Sequence, residues 1–83
     1  MNQSMKRKIH AFVINSLHAD FQAFDNLIDE SGEVNYTQLA EELAYEFSLD
    51  EHLDDETHWI WDVALDEGEF IEKRRQPKNS NTI

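Results

Sequence analysis

All seven lysines and arginines of this 83-residue chain stand at its ends, Lys6, Arg7 and Lys8 at one and Lys73, Arg74, Arg75 and Lys78 at the other. All eighteen acids lie between Asp20 and Glu72. A compact middle of that kind repels itself unless the fold lays the ends over it or a positive partner covers it. A net charge of −11 by itself pushes a chain toward disorder, but 40% hydrophobic and 11% aromatic content, recurring at helical spacing, supplies enough to bury. The length suits one domain with one modest core.

Ile9, Val13, Leu17, Phe21, Phe24 and Ile28 recur three or four apart in a stretch without Gly or Pro, which predicts an amphipathic helix from about Lys6 to Ile28. Phe12, Ile14 and Leu27 widen its apolar stripe, as expected of a helix that touches two neighbours. Asp29-Glu30-Ser31-Gly32 ends it. Asn35 followed by Gln38 has the form of a capping box, with Val34 and Leu39 as its hydrophobic staple, so a second helix begins there with Tyr36, Leu39, Ala40, Leu43 and Phe47 inward. Asp54, Asp55 and Glu56 stand where the positive end of a third helix dipole would favour them. Trp59, Ile60, Val63, Ala64, Phe70 and Ile71 would form its inner face, with Gly68 either inside that helix or capping it near Glu67. Short loops favour antiparallel neighbours. The expected fold is therefore all-α, a small three-helix up-down-up bundle over residues 6–75, with residues 1–5 and the polar tail 76–83 flexible. In that geometry Lys6 to Lys8 would meet the Asp50 to Glu56 loop, and Lys73 to Arg75 the acids around Asp29. Glu41, Glu42, Glu46, Asp62, Asp66 and Glu69 would remain uncompensated.

The absence of cysteine removes disulfides, thiolate metal sites and a cysteine nucleophile, and no long apolar run marks a secretion signal or a membrane span. The expected compartment is the cytoplasm. The loop Asp29-Glu30-Ser31-Gly32-Glu33-Val34-Asn35 resembles a worn calcium loop of the EF-hand family: with Gly32 as turn glycine, Asp29, Ser31 and Asn35 fall on ligand positions and Val34 on the apolar one. The first ligand position is then Leu27 and the last, where the family carries a bidentate glutamate, is Gln38. No calcium site is expected. Tyr36 to Leu43 resembles the first helix of a helix-turn-helix, but the next helix would have to read DNA with Asp54, Asp55, Glu56, Asp62 and Asp66 and no cation before Lys73. Direct nucleic-acid binding is not expected. His52, Asp55 and His58 offer zinc-type donors without a fourth ligand, and they read better as solvated histidines with pKa values raised by the acids around them. No nucleophile is paired with a base and no phosphate loop exists, so neither an enzyme nor a cofactor is expected.

Asp20 interrupts the first apolar stripe and is expected at a rim, bonding a loop amide. Trp61 and Leu65 point about 200° from neighbours two positions away, off the predicted inner face, and Tyr45 lies opposite Leu39, Leu43 and Phe47. Either Trp61 packs under the tail or against the Asp50 loop, as every apolar side chain of so small a protein is needed, or it is an aromatic anchor ringed by carboxylates that suits an interface with a basic partner. The expected partner surface is Glu41, Glu42, Tyr45, Glu46, Trp61, Asp62, Leu65 and Asp66. The expected function is a small acidic binding protein that occupies a basic groove on another protein, by nucleic-acid mimicry of the inhibitor or anti-defence type; the partner is then a basic, nucleic-acid-binding protein, with no membrane involved. The alternatives are a helical interaction module or homodimer without mimicry, and a degenerate EF-hand-like calcium protein.

Overall fold

The computed structural model describes residues 3–75, which form an all-α three-helix bundle of α1 (Gln3–Ala19), α2 (Tyr36–Glu46) and α3 (Trp59–Arg75). Short 3-10 turns at Asp25–Leu27 and Asp50–His52 interrupt the two connections. The predicted tail from Gln76 lies outside the described residues. At the other end α1 already begins at Gln3, and Met5 packs against the core, so the loose N-terminus predicted to run to residue 5 is helical from Gln3.

The first helix is shorter than its periodicity predicts. Asp20 donates its amide to Ser16 O, the last helical bond, and its carboxylate then accepts the amide of Gln22 at 3.0 Å. That local bond offers the backbone an alternative to another helical turn. Asp20 is exposed, and Phe21, predicted to lie on the buried stripe, is 54% exposed. Phe24 and Leu27 still reach the core, delivered by the 3-10 turn. The connection then doubles back: Ile28 and Val34 form an antiparallel bridge, Asp29 N donates to Glu33 O at 2.9 Å and Asn35 N to Leu27 O at 2.8 Å. Gly32 takes φ +91°, a region that only a residue without Cβ enters cheaply.

The second helix follows its sequence signals closely. Asn35 caps it by accepting Gln38 N at 3.0 Å, and the staple residues Val34 and Leu39 are both buried. At its far end Ser48 adopts φ +60°, while Leu49 N bonds Ala44 O and Ser48 N bonds Tyr45 O. This is a Schellman ending with serine in glycine's usual place.

Helix α3 runs unbroken through Gly68 to Arg75, so the glycine does not cap it. Its role is contact. A Cβ at Gly68 would lie 2.8 Å from Tyr36 Cδ1 and closer still to Cε1, so the Tyr36 ring rests directly on the α3 backbone. Tyr36 OH also reaches Glu72 Oε2 at 3.3 Å, which sets the start of α2 beside the second half of α3 and makes the pair antiparallel. Helix α1 touches both of the others: His10 meets Glu67 and the edge of Phe70, and Phe12 packs edge-on against Phe47 beyond the end of α2. The core combines Ile9, Val13 and Leu17 of α1, Leu39 and Leu43 of α2, and Ile60, Val63 and Ile71 of α3. Trp59 and Phe70, predicted inside, are half-buried on its edge.

Candidate binding surface

Two carboxylates of α3 are structural. Glu67 falls on the same stripe as Ile60, Ala64 and Ile71 and is buried, with His10 Nδ1 2.9 Å from both of its oxygens. Since a carboxylate accepts, His10 carries its proton on Nδ1. Glu72 Oε2 takes the amide of Val34 at 2.8 Å, fixing the hairpin before α2 to the last helix. Tyr36, desolvated there and facing Glu72, Glu69 and Glu33, has its hydroxyl pKa raised above the usual 10.0.

The lysines and arginines whose side chains are described, Lys6 to Lys8, Lys73 and Arg74, do not compensate the other acids as the segregation suggested. None of these five forms a salt bridge; the ion pairs among the described side chains involve histidine, His10 with Glu67 and His52 with Glu51. The predicted meetings of Lys6 to Lys8 with the Asp50 loop, and of Lys73 and Arg74 with the acids around Asp29, are therefore not ion pairs; the part of that expectation that falls on the Arg75 side chain lies outside what the structure describes. Arg74 instead places its guanidinium 5.9 Å from the centre of the Phe70 ring. Exposed Lys or Arg pairs gain about 0–1 kcal/mol while ordering two long side chains, so little drives them together. Asp29 has its pKa lowered by the Ser31 hydroxyl and by the amides of Glu33, Ser31 and Gly32. Its oxygens close the loop on itself. Among the described residues no three His, Asp or Glu side chains converge in a metal-holding group.

The turn before α3 is built from unexpected parts. Asp55, placed by the sequence in the helix, precedes it and accepts both the amide and the hydroxyl of Thr57, which lowers its pKa. His58 then acts as the cap, its Nδ1 accepting Ile60 N at 3.1 Å. The ring of His52 stacks on His58 with centroids 4.3 Å apart and planes 6° apart, and Trp59 tilts against the His58 ring at 4.9 Å. Contrary to the sequence expectation, the His58 pKa is lowered, because burial and the His52 charge outweigh Asp55.

A pH dependence follows. The folded protein favours neutral His58, so its contribution to stability is complete above the ordinary value of 6.5 and is lost as the pH falls below it toward the lower folded value. The melting temperature should drop between about pH 7.5 and about pH 5.5. In His58→Asn, which keeps a neutral capping group, that slope should flatten; an unchanged slope would assign it elsewhere.

Trp61 sits in this turn's grip. Its indole Nε1–H donates to Asp55 O at 3.1 Å and its ring packs on the core, so it is half-buried against the 50–56 loop, the packed alternative to an exposed anchor. The indole, Leu53, Thr37, Asp54 and Glu56 line an open cleft of about 590 Å³. Glu41 follows Thr37 by one turn on α2, and Leu65 follows Trp61 by one turn on α3; neither lines the cleft. Leu65 is 49% exposed, and Tyr45, a turn beyond Glu41, is 66% exposed. Glu46 lies two and a half turns from Thr37 and so on the opposite side of α2. Glu42, Asp62 and Asp66 are exposed. The eight predicted residues thus divide. Trp61 lines the cleft, while Glu41, Glu42, Tyr45, Glu46, Asp62, Leu65 and Asp66 are exposed outside its lining. Leu53, Asp54, Glu56 and Thr37 were missed as lining residues. The available signal was Leu53, an apolar residue isolated in an acidic run.

No helix among the described residues is long and apolar enough to cross a membrane. Comparison with protein families, with curated proteins and with solved structures finds no match to the chain.

Proposed function

We propose that this chain is a small acidic binding protein that occupies a positively charged groove on another protein, in the manner of a nucleic-acid mimic. The observation that carries the reading is an outer surface whose Glu41, Glu42, Glu46, Asp62 and Asp66 are exposed and enter no salt bridge with any described cation. Carboxylates one helical turn apart, such as Glu42 and Glu46, repeat at about 6 Å, a scale comparable to successive phosphates of one strand. Tyr45 and Leu65 supply exposed apolar contacts among them, as hot spots require.

The test is capture of a partner from the native host at low and high salt, repeated with duplex DNA as competitor. Binding should weaken steeply with salt and be displaced by DNA. Tyr45→Ala should weaken it by about 2 kcal/mol while leaving the melting temperature nearly unchanged. Capture indifferent to both salt and DNA would remove mimicry, and a concentration-dependent mass without capture would identify self-association instead.

A further inference from the structure

We infer that the cleft between the start of α2 and the turn before α3 is a receptor for an arginine side chain presented by a basic protein partner. This deepens the reading above and rests on it for the partner's character. The cleft volume of about 590 Å³ is in the range of side-chain and small-ligand pockets. Its walls divide by chemistry: Trp61 and Leu53 offer an aromatic face and an aliphatic contact, and Asp54 and Glu56 stand exposed at the rim.

A guanidinium matches this combination better than other side-chain groups. It stacks flat on an indole while its edge donates paired hydrogen bonds to carboxylates, and its aliphatic stem has apolar surface to lie on. Neither rim carboxylate has a hydrogen bond or salt bridge to a described residue, so their oxygens are open to an incoming donor. The indole is also pre-set. Its single donor is occupied by Asp55 O, which fixes the ring, so the indole meets a ligand in the cleft with ring surface and not with its N–H. Among the described residues no lysine or arginine lines the cleft, so none of these cations must first be displaced.

The experiment uses the full isotope-labelled chain and a capped Gly-Arg-Gly peptide, with the same peptide carrying uncharged citrulline as its isostere. The Trp61 indole N–H resonance, distinguished from that of Trp59 by Trp59→Phe, should shift saturably with the arginine peptide, together with the amides of Leu53 to Glu56. Citrulline should bind about tenfold more weakly or worse, and so should Asp54→Asn/Glu56→Gln toward arginine, with its remaining amide spectrum unchanged. Shifts spread evenly over the acidic surface, a cleft that does not distinguish arginine from citrulline, or a rim double variant that binds as well as the parent would each overturn the site. The two readings fail separately. Salt-sensitive, DNA-competed capture retained by the rim double variant removes the arginine site alone, whereas saturable peptide binding without any captured partner supports the site and removes the mimic.

Discussion

Replacing Gly68 by alanine should lower the stability of the bundle by about 1–3 kcal/mol, although alanine is the better helix former by about 1 kcal/mol. The reason is the Tyr36 ring, which lies closer to the α3 backbone than a Cβ allows. The ring cannot simply swing aside, because its hydroxyl is tied to Glu72 and its position sets the approach of α2 to α3. A double-mutant comparison isolates the cause. In a Tyr36→Ala background the obstacle is gone, and Gly68→Ala should become stabilising by up to about 1 kcal/mol through helix propensity. Denaturant melts of the four proteins check this, and a substitution with the same sign in both backgrounds would show that the Tyr36 contact does not govern the site.

Trp61→Ala should cost about 2–3 kcal/mol of stability, somewhat less than a fully buried tryptophan, because the ring is half-buried and anchors the turn before α3. About 1 kcal/mol of that belongs to the hydrogen bond with Asp55 O and should be lost in Trp61→Phe, which keeps most of the packing. A Trp61→Ala protein as stable as the parent would return the residue to the role of a free surface anchor. Tyr45 is the cleaner probe of partner contact, since its 66% exposure separates binding from folding.

The sequence was most legible where local chemistry and burial agree. Around α2 the Asn35 cap, the Val34 and Leu39 staple and the inward stripe all appear where their spacing puts them. It misled where a short polar side chain competes with the helix. Phe21, Phe24 and Ile28 continue a helical period after Ala19, yet Asp20 binds the Gln22 amide and the apolar residues reach the core, where they do, through a turn. At α3 the acids before the helix were assigned to its first turn, while Asp55 holds Thr57 and a histidine serves as the cap. Periodicity records which side chains are apolar, not which carboxylate captures a nearby amide. Gly68 was ambiguous for a related reason, since its purpose lies in a ring thirty-two residues earlier in the chain. The acidic surface was legible as composition. Its cleft was not, because it depends on how the 53–56 turn lies against Trp61 and Thr37.

The bond from Val34 N to Glu72 gives the bundle a temporal order during synthesis. The amide belongs to the hairpin that introduces α2, but its acceptor lies 38 residues further along, near the end of α3. When the first two helices have left the ribosome, that amide has only water, and Tyr36 has no backbone to rest on. Closure of the hairpin is thus coupled to arrival of α3, so the connection between α1 and α2 is finished by a helix made after both of them. Until Glu72 has emerged the two earlier helices lack their lock, and its arrival completes a junction made long before it.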